Sequence, residues 1–294
     1  MAGPAFETVL RAQAALGECP LWSVADQVLW WVDIESMTLN RFDPATGDTR
    51  MVRFDENIGC IGLRAGGGFI AGLRSGLWLL DAQGRKDCLI ANPQEETLLS
   101  RFNDGRVDPF GRFWAGTIFE PRIPPQAGLW RVDPDLSCHL IETGLTVSNG
   151  LAFSPDRCWA YHADTPTHII WRYPMDPETG ATRPRELFHR FEDESRPDGA
   201  AVDAEGCYWS ALYGGGRIAR LSPEGALMAE YELPARCPTM CAFGGPDLST
   251  LFVTSARHGR PERELAEWPD SGNLFAMATD TRGLPEPLFG GGMA

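Results

Sequence analysis

Two interleaved series of turn signals divide the chain into six similar units. In the first series, Gly, Pro or Asp separates two short apolar runs, at residues 25–27, 65–68, 108–111, 154–156, 203–206 and 244–247. The second series lies between them, at residues 43–47, 81–84, 133–135, 176–180, 222–225 and 280–283. Because Gly and Pro favour the backbone angles of tight turns, both series predict a regular succession of short strands.

Units of about 40–50 residues with four short strands each are typical of a β-propeller. We therefore predict an all-β fold, a six-bladed β-propeller with four-stranded blades around a central channel, as a single domain over residues 1–294. The run at 6–10 is expected to pair with the C-terminal strands, because ring closure removes exposed edges. A β-sandwich or two unrelated β domains are the alternatives, which the regular spacing disfavours. The best helical candidate, 260–267, is expected to be an insertion in the last blade.

The overall composition excludes several classes of partner. The formal net charge is −14, which argues against nucleic acid and anionic membranes. We predict a cytoplasmic protein, since no signal-peptide pattern and no membrane-length apolar run is visible. The eight cysteines form no C-x-x-C pair and are expected to be free thiols rather than a disulfide framework or a zinc site. No long apolar edge demands a partner, so the oligomeric state stays open and a monomer is compatible.

Polar residues recur at one end of the predicted innermost strands. In a propeller these strands line the channel, and the first turn series closes each of them at the far end. Reading back roughly five to ten positions from each turn gives the residues at the opposite mouth: Glu18, Glu56–Asn57, Arg101–Asp104, Ser148–Asn149, Pro197–Asp198 and Met240–Cys241. Crowded carboxylates favour a bound cation. Glu18, Asn149 and Asp198 offer two carboxylates and an amide oxygen, which suit Ca²⁺, Mg²⁺, Mn²⁺ or Zn²⁺.

Four segments carry a family resemblance: GECP at 17–20, RFNDG at 101–105, SNGLAFSP at 148–155 and RPDG at 196–199. Together they resemble the SMP-30/gluconolactonase/regucalcin-like family, in family order and over nearly the whole chain. The resemblance implies a six-bladed propeller with one catalytic divalent metal, whose ligands are Glu18, Asn149 and Asp198. Its metal could be Ca, Zn, Mg, Mn or Fe(II), because family members differ. Cys19 departs from the family, where many members have Gly.

The resemblance also implies a substrate and the residues that contact it. Many family members hydrolyse sugar lactones, and Arg101, Asn103 and Glu120 match substrate-binding positions. We therefore expect metal-dependent hydrolysis of an aldonolactone, such as a glucono-, xylono- or arabinonolactone, to the aldonic acid. A lactone needs a polarised carbonyl, an activated water and a stabilised oxyanion. Asp198 is the candidate general base, and its alternative role is that of a metal ligand only.

Other functions are compatible with the same residues. The metal site could serve an esterase or organophosphatase, or the chain could be a non-enzymatic calcium-binding or interaction propeller, because fold alone does not decide function. A serine hydrolase is disfavoured, since the sequence contains no G-x-S-x-G elbow. We expect His162 to be a satisfied residue of the core or channel wall and the recurring tryptophans to pack between blades.

Overall fold

The strands form six four-stranded antiparallel sheets, which confirms the predicted six-bladed β-propeller. The structure is a computed structural model, and it describes residues 4–94, 98–122, 126–192 and 195–291. In each sheet the first strand along the chain is innermost, apart from the N-terminal strand of the last blade. These inner strands contact one another around the ring and therefore line the channel.

The strand bounds follow the two predicted turn series. The chain begins with β1 (Glu7–Leu10). Blade 1 contains β2 (Gly17–Ser23), β3 (Val28–Asp33), β4 (Thr38–Phe42) and β5 (Thr49–Arg53). Blade 2 contains β6 (Ile58–Leu63), β7 (Phe69–Leu73), β8 (Gly76–Leu80) and β9 (Lys86–Ala91). Blade 3 contains β10 (Ser100–Val107), β11 (Phe113–Phe119), β12 (Ala127–Val132) and β13 (Cys138–Leu145).

The second half of the chain repeats this pattern. Blade 4 contains β14 (Ser148–Phe153), β15 (Trp159–Asp164), β16 (Ile169–Pro174) and β17 (Glu186–Arg190), with a 3-10 turn at Thr165–Thr167. Blade 5 contains β18 (Arg196–Val202), β19 (Tyr208–Tyr213), β20 (Arg217–Leu221) and β21 (Leu227–Glu232). Blade 6 contains β22 (Pro238–Gly244), β23 (Thr250–Ser255), the helix α1 (Glu262–Glu267) and β24 (Leu274–Ala278).

The N-terminal strand closes the ring, as the sequence predicts. β1 pairs with β24 in antiparallel register, with Thr8 opposite Phe275 and Leu10 opposite Leu274. Just before it, Phe6 is buried in the same apolar cluster as Phe243 and Phe275. Blade 6 therefore takes its outer strand from the opposite end of the chain. The turn predicted at 280–283 consequently joins no pair of strands and instead leads into a C-terminal tail.

Burial explains why the strands differ in sequence across a blade. Every residue of the inner strand β10 is buried, because neighbouring inner strands and the channel surround it. The outermost strand β21 contains only exposed and half-buried residues, since only one of its faces meets a neighbour. Two buried tryptophans confirm the predicted packing between blades: the ring of Trp114 in blade 3 packs against Phe153 of blade 4, and that of Trp209 in blade 5 packs against Phe243 of blade 6.

Each of the six inner strands carries an irregularity at the same level. The register with the second strand shifts between Glu18 and Leu21, Ile58 and Cys60, Phe102 and Gly105, Asn149 and Ala152, Pro197 and Ala200, and Pro238 and Cys241. A β-bulge re-aims the side chains beside it. Repeated around the ring, these bulges direct side chains into the channel from each blade.

Other predictions about the chain are also settled by the structure. The helix begins at Glu262 rather than at 260, after Pro261, and lies between β23 and β24 of the last blade as expected. All eight cysteines are free, and five of them are buried. In the portion of the chain that the structure describes, no helix is long and apolar enough to cross a bilayer.

Candidate metal and substrate site

The bulges bring the predicted metal ligands to one level of the channel. Glu18, Asn149 and Asp198 lie on the inner strands of blades 1, 4 and 5, and their residues are 7%, 4% and 5% exposed. In blade 1 the bulge contains Cys19 at a φ of 47°, a left-handed conformation that most residues avoid. Pro20 follows it directly and has no N–H to donate to the neighbouring strand.

Three buried carboxylates repel one another in this site. Burial raises the pKa of Glu18 well above its usual value, and the charges of Asp198 and Asp104 raise it further. Burial and then the Asp104 charge likewise raise the pKa of Asp198. Burial also raises the pKa of Asp104, although Leu151 N donates a hydrogen bond of 2.9 Å to its Oδ2. Asp104 thereby braces the bulge of blade 4.

A divalent cation fits this donor set. Among the residues that the structure describes, Asp198 Oδ1 and Asp104 Oδ1 are buried without a hydrogen-bond partner. Buried carboxylate oxygens without a partner are costly, and a cation would compensate them. Glu18, Asn149 and Asp198 could hold it through two carboxylates and an amide oxygen, which are hard donors. The disposition of these three residues is therefore compatible with the metal site that the sequence predicts.

A hydrogen-bond chain orients the amide of Asn149. Its Nδ2 donates to Thr165 Oγ1 at 2.8 Å, and the Thr165 hydroxyl donates to Pro197 O at 2.7 Å. Because the hydroxyl has one proton and Pro197 O accepts it, Thr165 can only accept from Asn149. The amide oxygen of Asn149 is therefore held on the opposite side, where it accepts a hydrogen bond from Asn103 Nδ2 at 2.8 Å. Sequence reasoning missed Thr165, which lies outside the inner strand.

The predicted substrate residues Arg101, Asn103 and Glu120 are also brought together. Arg101 Nη1 donates to Asn103 Oδ1 at 2.8 Å, and its Nε lies 3.5 Å from Glu120 Oε1. Arg101 is buried, and burial lowers its guanidinium pKa. Arg101 Nε has no hydrogen-bond partner among the described residues. Asn103 Nδ2 donates to Ser148 O as well as to Asn149, so this amide joins blades 3 and 4.

An arginine that the sequence did not indicate holds Glu120. Arg74 Nη2 and Nη1 donate to the two Glu120 oxygens at 2.7 and 3.1 Å, and its Nε donates to Asn57 Oδ1 at 2.9 Å. Partial burial raises the Glu120 pKa, but the Arg74 hydrogen bonds and charge and the Arg101 charge hold it below its usual value. Arg74 could have been found by position, since Arg74 and Glu120 each follow the second strand of their blade directly.

A neutral histidine lies behind Ser148, on the second strand of blade 4. His162 is fully buried, and its Nε2 lies 2.7 Å from Ser148 Oγ. Burial lowers the pKa of His162 to about 3, and the charge of Arg185 acts in the same direction. The predicted core position is confirmed, but only one ring nitrogen is satisfied, because His162 Nδ1 has no partner within the described ranges.

A second group of potential ligands, Asp203, Glu205 and Cys207, lies at the opposite end of blade 5. Arg220 Nη2 lies 2.7 Å from both Asp203 Oδ2 and Glu205 Oε2, so one guanidinium neutralises the two carboxylates. The other Asp203 oxygen accepts backbone N–H groups from Glu205 and Cys207. These contacts describe a braced turn rather than a metal site.

Comparison with known proteins agrees with this arrangement. The sequence model of the SMP-30/Gluconolactonase/LRE-like region matches residues 16–257, which is most of the chain and includes Glu18, Asn149 and Asp198. The chain belongs to the SMP-30/gluconolactonase/LRE-like family. Within this family, the chain is 52% identical over 288 residues to the 6-deoxy-6-sulfogluconolactonase of Pseudomonas putida, covering 97% of this chain and 99% of that protein.

Two further relatives carry the name regucalcin. The regucalcin of Bos taurus is 33% identical over 288 residues, covering 95% of this chain and 96% of that protein. A crystal structure described as a calcium-binding protein, regucalcin, from Agrobacterium tumefaciens superposes with a TM-score of 0.91 at 28% identity, covering 97% of this chain and 98% of that chain. The family thus includes relatives named for lactone hydrolysis and for calcium binding.

Proposed function

We propose that the protein hydrolyses a sugar lactone to the aldonic acid with one divalent metal held by Glu18, Asn149 and Asp198. The observation that carries this proposal is the unpartnered, buried Asp198 Oδ1 among mutually repelling carboxylates. Arg101, a candidate substrate-binding residue, lies close enough for its charge to act on Asp198. The relative that is 52% identical is named a lactonase, which supports the same reaction class.

The metal, Asp198 and Arg101 would each have a separate role in lactone hydrolysis. A divalent ion in this site would polarise the lactone carbonyl and stabilise the developing oxyanion. Asp198 would accept the proton of the attacking water in the role of a general base, in addition to its role as a metal ligand. Arg101 would donate from its guanidinium group to a substrate oxygen.

Asn103 and Glu120 would orient Arg101 and bind the hydroxyl groups of the sugar. Asn103 links Arg101 to Asn149, and a second lone pair of its Oδ1 stays available for a sugar hydroxyl. Glu120 is held by Arg74 with its side chain 36% exposed, so its carboxylate can accept from a hydroxyl at the mouth. Both residues therefore contribute to binding and orientation rather than to proton transfer.

The name of the same relative suggests which lactone to test first. That name denotes a gluconolactone with a sulfo group at C6, an anionic group that favours a cation at the mouth of the channel. Arg122 is exposed, follows Glu120 by two residues, and its charge acts on Asp198. Within the described residues its side chain forms no hydrogen bond or ion pair. We therefore propose that Arg122 contacts an anionic substituent of the substrate.

The experiment is a metal-reconstituted assay. Protein stripped with a chelator is loaded separately with Ca²⁺, Zn²⁺, Mg²⁺, Mn²⁺ or Fe²⁺, and proton release is followed with glucono-, xylono-, arabinono- and 6-deoxy-6-sulfogluconolactone. Asp198→Asn should reduce the rate on every lactone, and Asp87→Asn, at an exposed position of the outer strand β9, is the matched control. Hydrolysis at full rate without metal would contradict the proposal.

Two results would favour the alternatives. Turnover of aryl esters or organophosphate triesters without turnover of lactones would favour an esterase or organophosphatase using the same metal site. Tight Ca²⁺ binding with no turnover of any substrate would favour a calcium-binding propeller, an alternative that the similarity to the calcium-binding protein of Agrobacterium tumefaciens supports.

A further inference from the structure

The turn after the second strand of blade 1 carries a carboxylate to which the proposed function gives no role. Glu35 lies in this turn, between β3 and β4. Arg74 and Glu120 lie in the equivalent turns of blades 2 and 3, directly after β7 and β11. Because the strands of a blade alternate in direction, these turns lie at the end of the channel where the inner strands begin. Glu35 is therefore at the mouth that contains the candidate metal and substrate site.

Hydrogen bonds fix the backbone on both sides of Glu35. The Asp33 carboxylate accepts from Ser36 N, the residue after Glu35, at 3.1 Å. Asn57 Nδ2 donates at 2.8 Å to the carbonyl oxygen of Ile34, the residue before it. The Glu35 side chain thus extends from a rigid turn, which lowers the entropic cost of a contact with a ligand.

The same hydrogen bonds continue to the candidate substrate-binding residues. Asn57 Oδ1 accepts from Arg74 Nε at 2.9 Å, and Arg74 donates to both oxygens of Glu120. Glu120 Oε1 in turn lies 3.5 Å from Arg101 Nε. The turn that carries Glu35 therefore belongs to one polar network with Arg101.

The electrostatics of Arg101 indicate that Glu35 points across the mouth. Burial lowers the guanidinium pKa of Arg101, and among the charges around it Glu35 acts most strongly in the opposite direction, ahead of Glu120. Coulombic interactions weaken with distance. Since Glu35 belongs to blade 1 and Arg101 to blade 3, the Glu35 carboxylate extends toward the channel axis rather than outwards.

Glu35 retains its full capacity to accept hydrogen bonds. Its residue is half-buried, and within the described part of the chain its carboxylate forms no hydrogen bond or ion pair. The neighbouring groups are engaged, because Arg74 holds Glu120 and Arg101 Nη1 donates to Asn103. An ionised carboxylate only accepts, and it can accept from two hydroxyl groups at once through strong charge-assisted bonds.

We propose that Glu35 is a further substrate-binding residue, which accepts hydrogen bonds from hydroxyl groups of the sugar ring. The inference rests on the proposed lactonase function, which places the ring at the mouth beside Arg101. Glu35 binds the hydroxyls that face blade 1 and leaves the carbonyl directed toward the metal site. A site that hydrogen-bonds a hydroxyl strongly disfavours an analogue without it, so Glu35 favours polyhydroxylated lactones over plain esters.

The first test measures binding of 1,5-anhydroglucitol, a sugar ring without the lactone carbonyl, to the intact protein by calorimetry. Glu35→Ala should weaken this binding at least about tenfold, because the hydroxyls lose a charged acceptor. Glu35→Gln keeps an acceptor oxygen without the charge and should weaken it only about threefold. Glu178→Ala, at an exposed turn of blade 4 at the opposite end of the channel, should leave it unchanged.

Steady-state kinetics on gluconolactone separate a contact with the sugar from an effect through Arg101. Glu35→Ala should raise KM at least about tenfold and change kcat less than about threefold, because hydroxyl contacts are equal in the substrate complex and the transition state. Unchanged KM and unchanged 1,5-anhydroglucitol binding would overturn the inference, as would a loss confined to kcat. Glu35-dependent binding of 1,5-anhydroglucitol by a protein that opens no lactone would support the contact and contradict only the lactonase proposal.

Discussion

A single hydroxyl proton determines which face the Asn149 amide presents to the channel. Thr165 donates to Pro197 O, the carbonyl directly before Asp198, and accepts from Asn149 Nδ2. One side chain outside the inner strands therefore connects two candidate ligands, Asn149 and Asp198. Partners of this kind behind metal ligands typically change affinity by about 10- to 100-fold when they are removed.

Thr165→Val should weaken metal binding by about 10- to 100-fold, because the Asn149 amide loses the acceptor that fixes its orientation. Thr165→Ser keeps the hydroxyl and should retain near-native affinity. Titration against a competing chelator measures the affinity directly. Thr49→Val, at an exposed position of β5, is the control. An equal loss in the Ser and Val variants would show that packing rather than the hydroxyl is responsible.

Arg122→Gln should lower kcat/KM on 6-deoxy-6-sulfogluconolactone by about tenfold, the effect of one charge-assisted hydrogen bond worth about 1.4 kcal/mol. The value on gluconolactone, which lacks the sulfonate, should change less than about twofold. Steady-state kinetics on both substrates provide the comparison, with Arg190→Gln on the outer strand β17 as the control. A parallel loss on both lactones would contradict recognition of the anionic group.

At the scale of the element, the bulged inner strand is the unit that builds the site. A regular strand would alternate its side chains between its two faces, with a period of two. The extra residue in each bulge breaks this period next to Glu18, Asn103, Asn149 and Asp198. The bulge of blade 4 contains Gly150 at a φ of 67°. Tyr208 of blade 5 leaves no space for a side chain at this position.

Gly150→Ala should destabilise the protein by about 2–4 kcal/mol, since a left-handed alanine and an overpacked site each contribute. A Cβ at this position would lie 2.5 Å from Tyr208 Oη, which donates to Gly150 O. Urea unfolding measures the change. Gly47→Ala, at a φ of 79° with open space around it, should show only the conformational part, about 1–2 kcal/mol. Equal losses would exclude the contact with Tyr208.

At the scale of the whole molecule, ring closure and buried charge act in opposite directions on stability. Closure buries Phe6 and pairs β1 with β24, which removes the open edge of blade 6. The channel contains three carboxylates whose pKa values are raised, and their ionisation lowers the stability of the metal-free protein. One domain over residues 1–294 stays a prediction, and a single cooperative unfolding transition would support it.

Phe6→Ala should lower the free energy of unfolding by about 3–5 kcal/mol, because it leaves a cavity at the closure of the ring. Val9→Ala, on the same closing strand but 36% exposed, should cost far less. Urea unfolding of both variants tests the idea. If the two variants lose the same stability, then the closure depends on backbone pairing rather than on the Phe6 side chain.

The metal-free protein should lose stability as the pH rises from about 5 to 8. Carboxylates whose pKa is raised in the folded state bind more protons when folded than when unfolded, so their ionisation above about pH 4 disfavours the folded state. Urea unfolding in a chelator at both pH values tests this. Asp198→Asn should reduce the fall, and an identical pH dependence in the variant would contradict it.

The sequence by itself was sufficient for the architecture and for the candidate ligands. Evenly spaced turn signals predicted the blades and the closing strand, because turn chemistry and strand length are local properties of the chain. The position of Glu18, Arg101, Asn149 and Asp198 before those turns placed them at one mouth. Four short segments carried the family resemblance, which the match over residues 16–257 confirms.

Only the tertiary structure decided how these groups are held. The direction of the Thr165 proton, the capture of Glu120 by Arg74 and the ion pair of Arg106 with Glu286 each depend on residues that are far apart in the chain. The C-terminal tail after β24, in which Phe289 pairs with Leu63 and Ala65 of blade 2, begins with the segment that was read from the sequence as a sixth turn of the second series. The physical reason is that turns are encoded locally, whereas hydrogen-bond partners and unfilled cavities arise only when distant strands meet.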